Sequence, residues 1–397
     1  MKVNTIIRDF SKKLKSLHKS RVKTMGYMVT SLLEGGYATL TQIGRNLPGK
    51  AKTKHKIKRV DRFLRNKGLK FSDITPYLLE FLPVGKPVLL IIDWTPHQHN
   101  RHQILSAKIP IDGRCIPVYC EPHLWKGCEQ TQAEMKFLEE LHKHIGNKRQ
   151  VIVIFDRGFR LPFWKRIREL GWDYIGRLQS SYVITDGEKR FGVSTIKLKE
   201  GVAKDFGMVK VGEDEEKNRL VVYKAPKGRR RSPAKKKKHA KELLRYKNGA
   251  KQPWYLISSL DWSGKAIVRG YAQRFQIEET FRDWKNHRFC GYNLGAVRCS
   301  SPERLEKLLM IIALAYVIQI GWGIIGAEKG MELDFRANRS DRKSLGVFFL
   351  GRELLRRAVP WRLSQIAAAI KRSINRVLIY VMNGLYIPPK ELYGGLI

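Results

Sequence analysis

The spacing of apolar residues predicts helices in the first part of the chain, over residues 1–82. In residues 53–66 the apolar side chains recur at helical spacing, three and four positions apart. A second, shorter helix is predicted over residues 39–47, and Pro48 and Gly49 form a turn between the two. The basic residues of the longer helix lie largely away from its apolar stripe: Lys54, Lys58, Arg62 and Arg65.

The pattern changes after Pro87 to short apolar runs separated by turns and helical segments. Strands are predicted over residues 88–92, 103–109 and 114–120, with Asp112 and Gly113 as a hairpin turn. A helix over 131–145, with a Thr131–Glu134 capping box, then leads to strand 151–155, helix 161–170 and strand 172–178. This order predicts an α/β fold with a mixed sheet layered with helices.

Residues 180–253 are more polar, with short β-like pieces and a basic stretch over 224–241 that we expect to be a mobile loop. A strand resumes at Trp254, followed by one long helix over about 263–286 and a basic, helical tail after 336. We therefore expect a helical domain over 1–82 and an α/β domain over 83–330 with a β-rich insertion at about 180–253. A helical C-terminal region completes the chain over 331–397.

One segment, residues 308–326, contains no charged side chain and is just long enough to cross a bilayer. It is a single segment and contains Gln319 and three glycines, which favours a helix buried in a large core. The N-terminus has no apolar run long enough for a signal peptide. We expect a cytoplasmic protein that is not associated with a membrane.

The net charge of the chain indicates which class of partner it binds. Lys and Arg total 77 against 36 Asp and Glu, giving a formal net charge of +41. A charge of this size indicates a polyanionic partner, and nucleic acid is favoured over an anionic membrane surface or a packaging role. The basic helix of the N-terminal pair is then a candidate DNA-recognition element, although a solvated helix has the same pattern. The five cysteines fit no zinc ribbon and are expected to be reduced thiols.

Two aspartates stand out because each directly follows a run of five apolar residues in a predicted central strand. Asp93 follows VLLII and Asp156 follows VIVIF. Side chains at such strand ends face the cleft where ligands bind in open α/β sheets. Either aspartate alone has the alternative of being a helix cap or a loop residue.

A third carboxylate is found in the sequence YAQRFQIEETFRDWK, residues 271–285. On a regular helix, Glu278 shares a face roughly 60° wide with three other polar residues, while Glu279 and Asp283 point elsewhere. The other members of this face are Tyr271, Arg274 and Lys285. The face suits phosphate binding, although a solvated salt-bridge face is the alternative.

Three carboxylates that converge on one cleft need protons or divalent cations to offset their repulsion. Carboxylate oxygens suit Mg²⁺, which binds through one or two carboxylates together with substrate phosphates. Two such ions activate a water or a 3′-hydroxyl and stabilise the leaving oxygen of a phosphodiester.

The spacing Y-x2-R-x3-E-x6-K resembles the signature of the insertion-sequence family 4 transposases, which include those of the composite transposons five and ten. The segments IIDWTP and VIFDRGF also resemble that family, and the resemblance covers most of the chain. It implies a ribonuclease-H-like core with a β-rich insertion, and a dimer bound to two transposon ends. It also implies metal ligation by Asp93, Asp156 and Glu278, with Mg²⁺ as the ion and Mn²⁺ as a substitute. DNA-phosphate contacts are implied for Tyr271, Arg274 and Lys285.

Two further sites carry weaker signals. Trp254 resembles the family tryptophan that stabilises a flipped base, although a core tryptophan in a strand is the alternative, and Phe275 stands where some relatives have Trp. The residues His97, His99 and His102 could hold a metal ion, but a polar loop is the simpler interpretation.

The sequence thus predicts a cut-and-paste transposase that nicks strands, forms and opens hairpins, and transfers strands at terminal inverted repeats and target DNA. The alternatives are a DNA-binding regulator that no longer cuts, and a ribonuclease-H-like nuclease that does not join strands.

Overall fold

The computed structural model describes residues 3–98, 101–126, 128, 130–226, 252–286, 291–335, 345–360 and 362–385. The chain divides into two units: Met1–Val151 with Gln273–Ile397, and Ile152–Ala272. The predicted domain boundaries near residues 82 and 330 stay predictions. Residues 227–251, which include most of the basic stretch, and also His99 and Cys290 lie outside the described residues.

The first unit begins with five helices, and the predicted pair of helices is confirmed. They are α1 (Val3–Lys13), α2 (Lys19–Gly35), α3 (Leu40–Arg45), α4 (Thr53–Leu64) and α5 (Thr75–Leu79). Helix α4 buries Val60, Phe63 and Leu64, as its apolar stripe predicted. A Cβ added to Gly44 in α3 would lie 2.7 Å from the Ile57 Cα, so glycine permits the close approach of α3 to α4.

Three antiparallel strands follow in the first unit: β1 (Val88–His97), β2 (His102–Pro110) and β3 (Cys115–Leu124). All three were predicted, and Gly113 turns the chain between β2 and β3 with φ of +80°. Strand β1 is longer than expected because it pairs with β2 as far as His97. Helix α6 (Gln130–Ile145) begins before Thr131, and the Glu134 carboxylate accepts a hydrogen bond from Trp94 Nε1 at 2.8 Å. The predicted capping role of Thr131 is therefore wrong.

In the part that the structure describes, the second unit contains seven paired strands. Its elements are β4 (Val151–Phe155), which enters the unit at Ile152, α7 (Leu161–Glu169), β5 (Asp173–Arg177), β6 (Val183–Asp186), β7 (Lys189–Gly192), β8 (Ala203–Val211), β9 (Lys217–Tyr223), β10 (Trp254–Ser258) and α8 (Gly264–Ala272). The strand order is β4-β5-β10-β9-β8-β6-β7. Strands β4 and β5 are parallel, and β5 with β10 and the pairs beyond are antiparallel.

The long helix expected over about 263–286 is wrong as a single element. Helix α8 ends at Ala272, a 3₁₀ segment spans Gln273–Phe275, and α9 (Gln276–Lys285) follows in the first unit. The first unit then ends with α10 (Pro302–Glu328), α11 (Val347–Arg356) and α12 (Leu363–Asn383).

Helix α10 contains the uncharged segment and lies in the core of the first unit. It is long and apolar enough to cross a membrane, but its most apolar window is fully buried in the structure. Gln319 accepts a hydrogen bond from the Tyr292 hydroxyl at 2.9 Å and donates one to the Phe348 carbonyl at 2.9 Å. A Cβ at Gly323 would lie 1.7 Å from the Val347 carbonyl oxygen, so α11 can pack closely only against glycine. The polar and small residues of α10 therefore serve helix packing inside a core.

The fold class is the predicted one, a mixed α/β structure with helices at both ends of the chain. Three antiparallel strands followed by the parallel pair β4 and β5 provide the strand types of the expected ribonuclease-H-like core.

Candidate active site

Asp93 lies inside β1, opposite Ser106 of β2, and not at the strand end that the sequence led us to expect. The apolar run ends at Asp93, but backbone pairing with β2 continues past it. One carboxylate oxygen accepts a hydrogen bond from the Trp94 backbone amide at 2.9 Å. The side chain is 15% exposed, so one edge of the carboxylate remains accessible to solvent.

Arg274 connects two of the three predicted catalytic carboxylates. Its guanidinium donates to Asp93 Oδ2 at 3.0 Å and to Glu278 Oε1 at 3.1 Å. Arg274 is 10% exposed and Glu278 is 57% exposed, so the arginine is buried below a carboxylate that faces solvent. Residues far apart in sequence are thus brought together within the first unit.

The 3₁₀ segment around Arg274 changes which side chains share one face of the helix. A 3₁₀ helix turns by about 120° per residue instead of about 100°, so the angles that assumed one regular helix do not hold across Gln273–Phe275. Glu278 and Lys285 both lie on α9 and keep their predicted relation, whereas Tyr271 precedes the break.

Lys285 is bound to β1. Its amine donates to Thr95 Oγ1 at 2.5 Å and to the Pro96 carbonyl at 2.7 Å. Burial lowers the pKa of Lys285 to about 8, while the nearby Asp93 carboxylate acts in the opposite direction. The Lys285 amine therefore fixes α9 to the strand that carries Asp93.

Asp156 directly follows β4 in the second unit, at the strand end that its sequence predicted. One of its carboxylate oxygens accepts a hydrogen bond from the Gly158 amide at 2.8 Å. Among the residues that the structure describes, no three His, Cys, Asp or Glu side chains are grouped closely enough to hold a metal ion.

The donor chemistry of Asp93 and Glu278 fits a divalent cation. Both present carboxylate oxygens, which Mg²⁺ prefers. One guanidinium offsets one of the two negative charges, so Asp93, Glu278 and Arg274 together keep a net charge of −1. The Lys285 amine also lies near Asp93, so the fit to a divalent cation rests on the carboxylate oxygens of Asp93 and Glu278 and not on a surplus of negative charge.

Aromatic rings meet at Trp254 in the second unit. The Trp254 ring is 5.1 Å from that of Tyr271 and 5.4 Å from that of Tyr223. Trp254 is half-buried, whereas Tyr271 is fully buried. A phosphate contact by Tyr271 stays a prediction and requires exposure of a side chain that this structure covers.

The basic residues predicted on α4 lie on its outer side. Lys54, Lys58, Arg62 and Arg65 are all exposed, opposite the buried Val60, Phe63 and Leu64. The arrangement suits contact with DNA phosphates, and the contact itself stays a prediction.

Two residues near the site were missed by sequence reasoning. Lys108 on β2 is fully buried, with its amine 3.5 Å from the Phe281 ring centroid and 4.0 Å from that of Trp284. Arg114 pairs with Asp283 at 2.6 Å and approaches Glu279 to 3.8 Å. Through these contacts both residues pack α9 against the strands. Asp283 and Glu279, which Arg114 contacts, are the acidic residues of α9 that were expected to point away from Glu278. Neither Lys108 nor Arg114 belongs to a sequence motif that would have identified it.

His97 and His102 lie in strands and not in the polar loop favoured by the sequence. His97 pairs with His102 across β1 and β2, and both are buried. Burial lowers the pKa of His97 to about 4, because charging the ring inside the fold is costly.

Comparison with known families decides how these residues are interpreted. The family described as Transposase DDE domain matches residues 85–318. The chain belongs to this DDE transposase family. The matched region includes Asp93, Asp156 and Glu278, and the family implies nuclease and transesterase chemistry on DNA.

Among solved structures, a piggyBac transposase synaptic complex with hairpin DNA, determined by cryo-EM, is similar to this DDE transposase. The TM-score is 0.40 and the sequence identity 13%, over 96% of this chain and 82% of that chain. No curated protein matches the chain. The family assignment therefore rests on the domain match.

Proposed function

We propose that this DDE transposase is a cut-and-paste enzyme of the insertion-sequence family 4 type, with Asp93, Asp156 and Glu278 as its catalytic triad. The observation that carries the proposal is the pair of hydrogen bonds from Arg274 to Asp93 and Glu278 inside the matched transposase domain. A solvated salt-bridge face would leave its arginine exposed to water. Arg274 is instead buried and holds two carboxylates near one another.

The three carboxylates would hold Mg²⁺, with Mn²⁺ as a substitute. Bound divalent cations would activate the attacking hydroxyl and stabilise the leaving oxygen of the phosphodiester. Arg274 offsets part of the repulsion between Asp93 and Glu278 and keeps both side chains in position before a cation binds. Lys285, anchored on Thr95 and Pro96, keeps α9 close to β1.

The proposed reaction begins with hydrolysis at an element end. The oxygen of a water forms a bond to phosphorus, the bond to the 3′-oxygen breaks, and that oxygen takes up a proton. In each transesterification step the 3′-hydroxyl oxygen loses its proton and forms a bond to the phosphorus of a second phosphodiester. The bond from that phosphorus to its own 3′-oxygen breaks, and that oxygen takes up a proton and leaves as a new 3′-hydroxyl. The second phosphodiester lies in the opposite strand for hairpin formation and in target DNA for joining. Between these steps a water opens the hairpin by hydrolysis and regenerates the 3′-hydroxyl of the element end. The number of phosphodiester bonds is conserved in the two transesterification steps.

The proposed partners are the terminal inverted repeats of the element and its target DNA. Tyr271, Arg274 and Lys285 would approach DNA phosphates when DNA binding exposes them, because Tyr271 is buried here and the other two are held by protein partners. Trp254 would receive a flipped base beside Tyr223. The enzyme would act as a homodimer that joins two ends, in the bacterial cytoplasm at the nucleoid. The high positive charge of the chain supports DNA as the partner.

The test is a strand-transfer assay with paired element ends, a target plasmid and Mg²⁺. We expect nicked ends, hairpins and joined products. Nicking without joining would instead indicate a nuclease, and end binding without nicking would indicate a silent regulator.

A further inference from the structure

A surface pocket in the first unit lies apart from the carboxylates. It has a volume of about 380 Å³ and is lined by Arg65, Arg298, Ser300 and Arg304. Three of its four lining residues are arginines, and their guanidinium groups are fork-shaped donors that match phosphate oxygens. Its composition therefore indicates an anionic ligand.

The charges at this pocket are only partly balanced. Asp61 pairs with Arg65 at 3.0 Å and with Arg304 at 2.7 Å. Arg298 forms no ion pair with any residue that the structure describes, and it is exposed. Three positive charges and one negative charge leave the group at about +2, while the shared Asp61 holds two of the arginines in place.

Two neighbouring features extend the basic surface. Arg65 directly follows α4, whose exposed residues Lys54, Lys58 and Arg62 form a stripe that reaches Arg65 over roughly 17 Å of helix length. On the opposite side Ser301 caps α10, a 27-residue helix whose positive end therefore lies beside Ser300. The pocket joins the end of the α4 stripe to the start of α10.

We propose that the pocket formed by Arg65, Arg298, Ser300 and Arg304 binds a backbone phosphate of the DNA that lies along α4. The proposal rests on the proposed function only in taking DNA as the partner. A polynucleotide fits better than a free anion because the pocket continues into a row of exposed cations at the spacing of one helix face. Arg298, which forms no ion pair with a described residue, would donate hydrogen bonds to the phosphate oxygens.

The test compares Arg298→Ala with a matched variant, Arg190→Ala, which removes one exposed arginine from β7 in the second unit. End-DNA affinity is measured at several salt concentrations. We expect Arg298→Ala to weaken binding about tenfold or more and to reduce the slope of log K against log salt by about 0.9, the value of one phosphate. Arg298→Lys should restore the slope but only part of the affinity, because a lysine cannot donate as a fork.

The outcomes separate this proposal from the proposed function. Equal, small losses in Arg298→Ala and Arg190→Ala would overturn the pocket while leaving the transposase function intact. If Arg298→Ala weakens binding of inorganic phosphate but not of DNA, the pocket is a free-anion site and the proposal fails. A native protein that binds no DNA at all would overturn both.

Discussion

At the scale of single residues, Arg274 determines the arrangement of the candidate site. A buried arginine without carboxylate partners would be costly, and here two carboxylates share it. The same contact places Glu278, which faces solvent, near Asp93, which is largely covered. The site is therefore built around a cation of the protein itself.

The buried amine of Lys108 makes the stability of the protein depend on pH. Burial lowers the pKa of Lys108 to about 7 in the folded protein, against about 10.4 in an unfolded chain. Between these values the unfolded chain binds more protons, so the free energy of unfolding rises with pH. The destabilisation is fully present below pH 7.

We expect Lys108→Met to raise the free energy of unfolding at pH 7 and below, because a neutral side chain of similar length replaces a buried charge. Above pH 7 this advantage should shrink by about 1.4 kcal/mol per pH unit. Denaturant unfolding of both proteins at pH 6, 8 and 9 measures the difference. A difference that stays constant with pH would show that Lys108 does not titrate in this range.

Trp254 offers a second residue-scale prediction. If it receives a flipped base, Trp254→Ala loses stacking worth about 1–3 kcal/mol, so hairpin formation should fail while first-strand nicking persists. Trp254→Phe retains a ring beside Tyr223 and Tyr271 and should recover part of the hairpin yield. Normal hairpin kinetics in Trp254→Ala would remove Trp254 from the site.

At the scale of elements, the interruption between α8 and α9 shows what local sequence can and cannot predict. The strands were predictable because their apolar runs are short and bounded by turns. The 3₁₀ segment Gln273–Phe275 was not, because it contains neither glycine nor proline. Arg274 contacts Asp93 across 181 residues, and helical periodicity carries no information about such a partner.

Local sequence also carries no information about the partners of Lys108 and Arg114. A lysine in a half-apolar strand normally indicates a solvent-facing position, yet Lys108 lies under the Phe281 and Trp284 rings of α9. The sequence thus indicated candidate carboxylates, whose catalytic roles stay predictions. It did not indicate Lys108 and Arg114, which contact the helix that carries Glu278.

Helix α4 provides an element-scale prediction. Replacing Lys54, Lys58 and Arg62 with Ala removes three exposed cations and leaves the buried apolar side of the helix unchanged. DNA affinity should fall, and the salt slope should decrease by as much as about 0.9 for each phosphate lost. Thermal unfolding of the variant should match the native protein. An unchanged salt slope would mean that α4 is merely solvated.

At the scale of the whole molecule, the net charge of +41 and the carboxylate site have complementary roles. In the proposed function, the positive charge would attract DNA over a large surface, whereas the carboxylates would repel phosphates until divalent cations bind. Neutralising one carboxylate should therefore impair chemistry while leaving DNA binding unchanged or stronger.

The most direct test is Mg²⁺-dependent nicking of element-end DNA by Asp93→Asn, Asp156→Asn and Glu278→Gln. Each substitution is nearly isosteric, so we expect native folding and end binding, with nicking reduced by several orders of magnitude. Glu279→Gln is the matched control, because Glu279 pairs with Arg282 at 2.6 Å and not with Arg274, and it should keep most activity. If Glu279→Gln abolishes nicking while Glu278→Gln nicks like the native enzyme, the assignment of the triad is wrong.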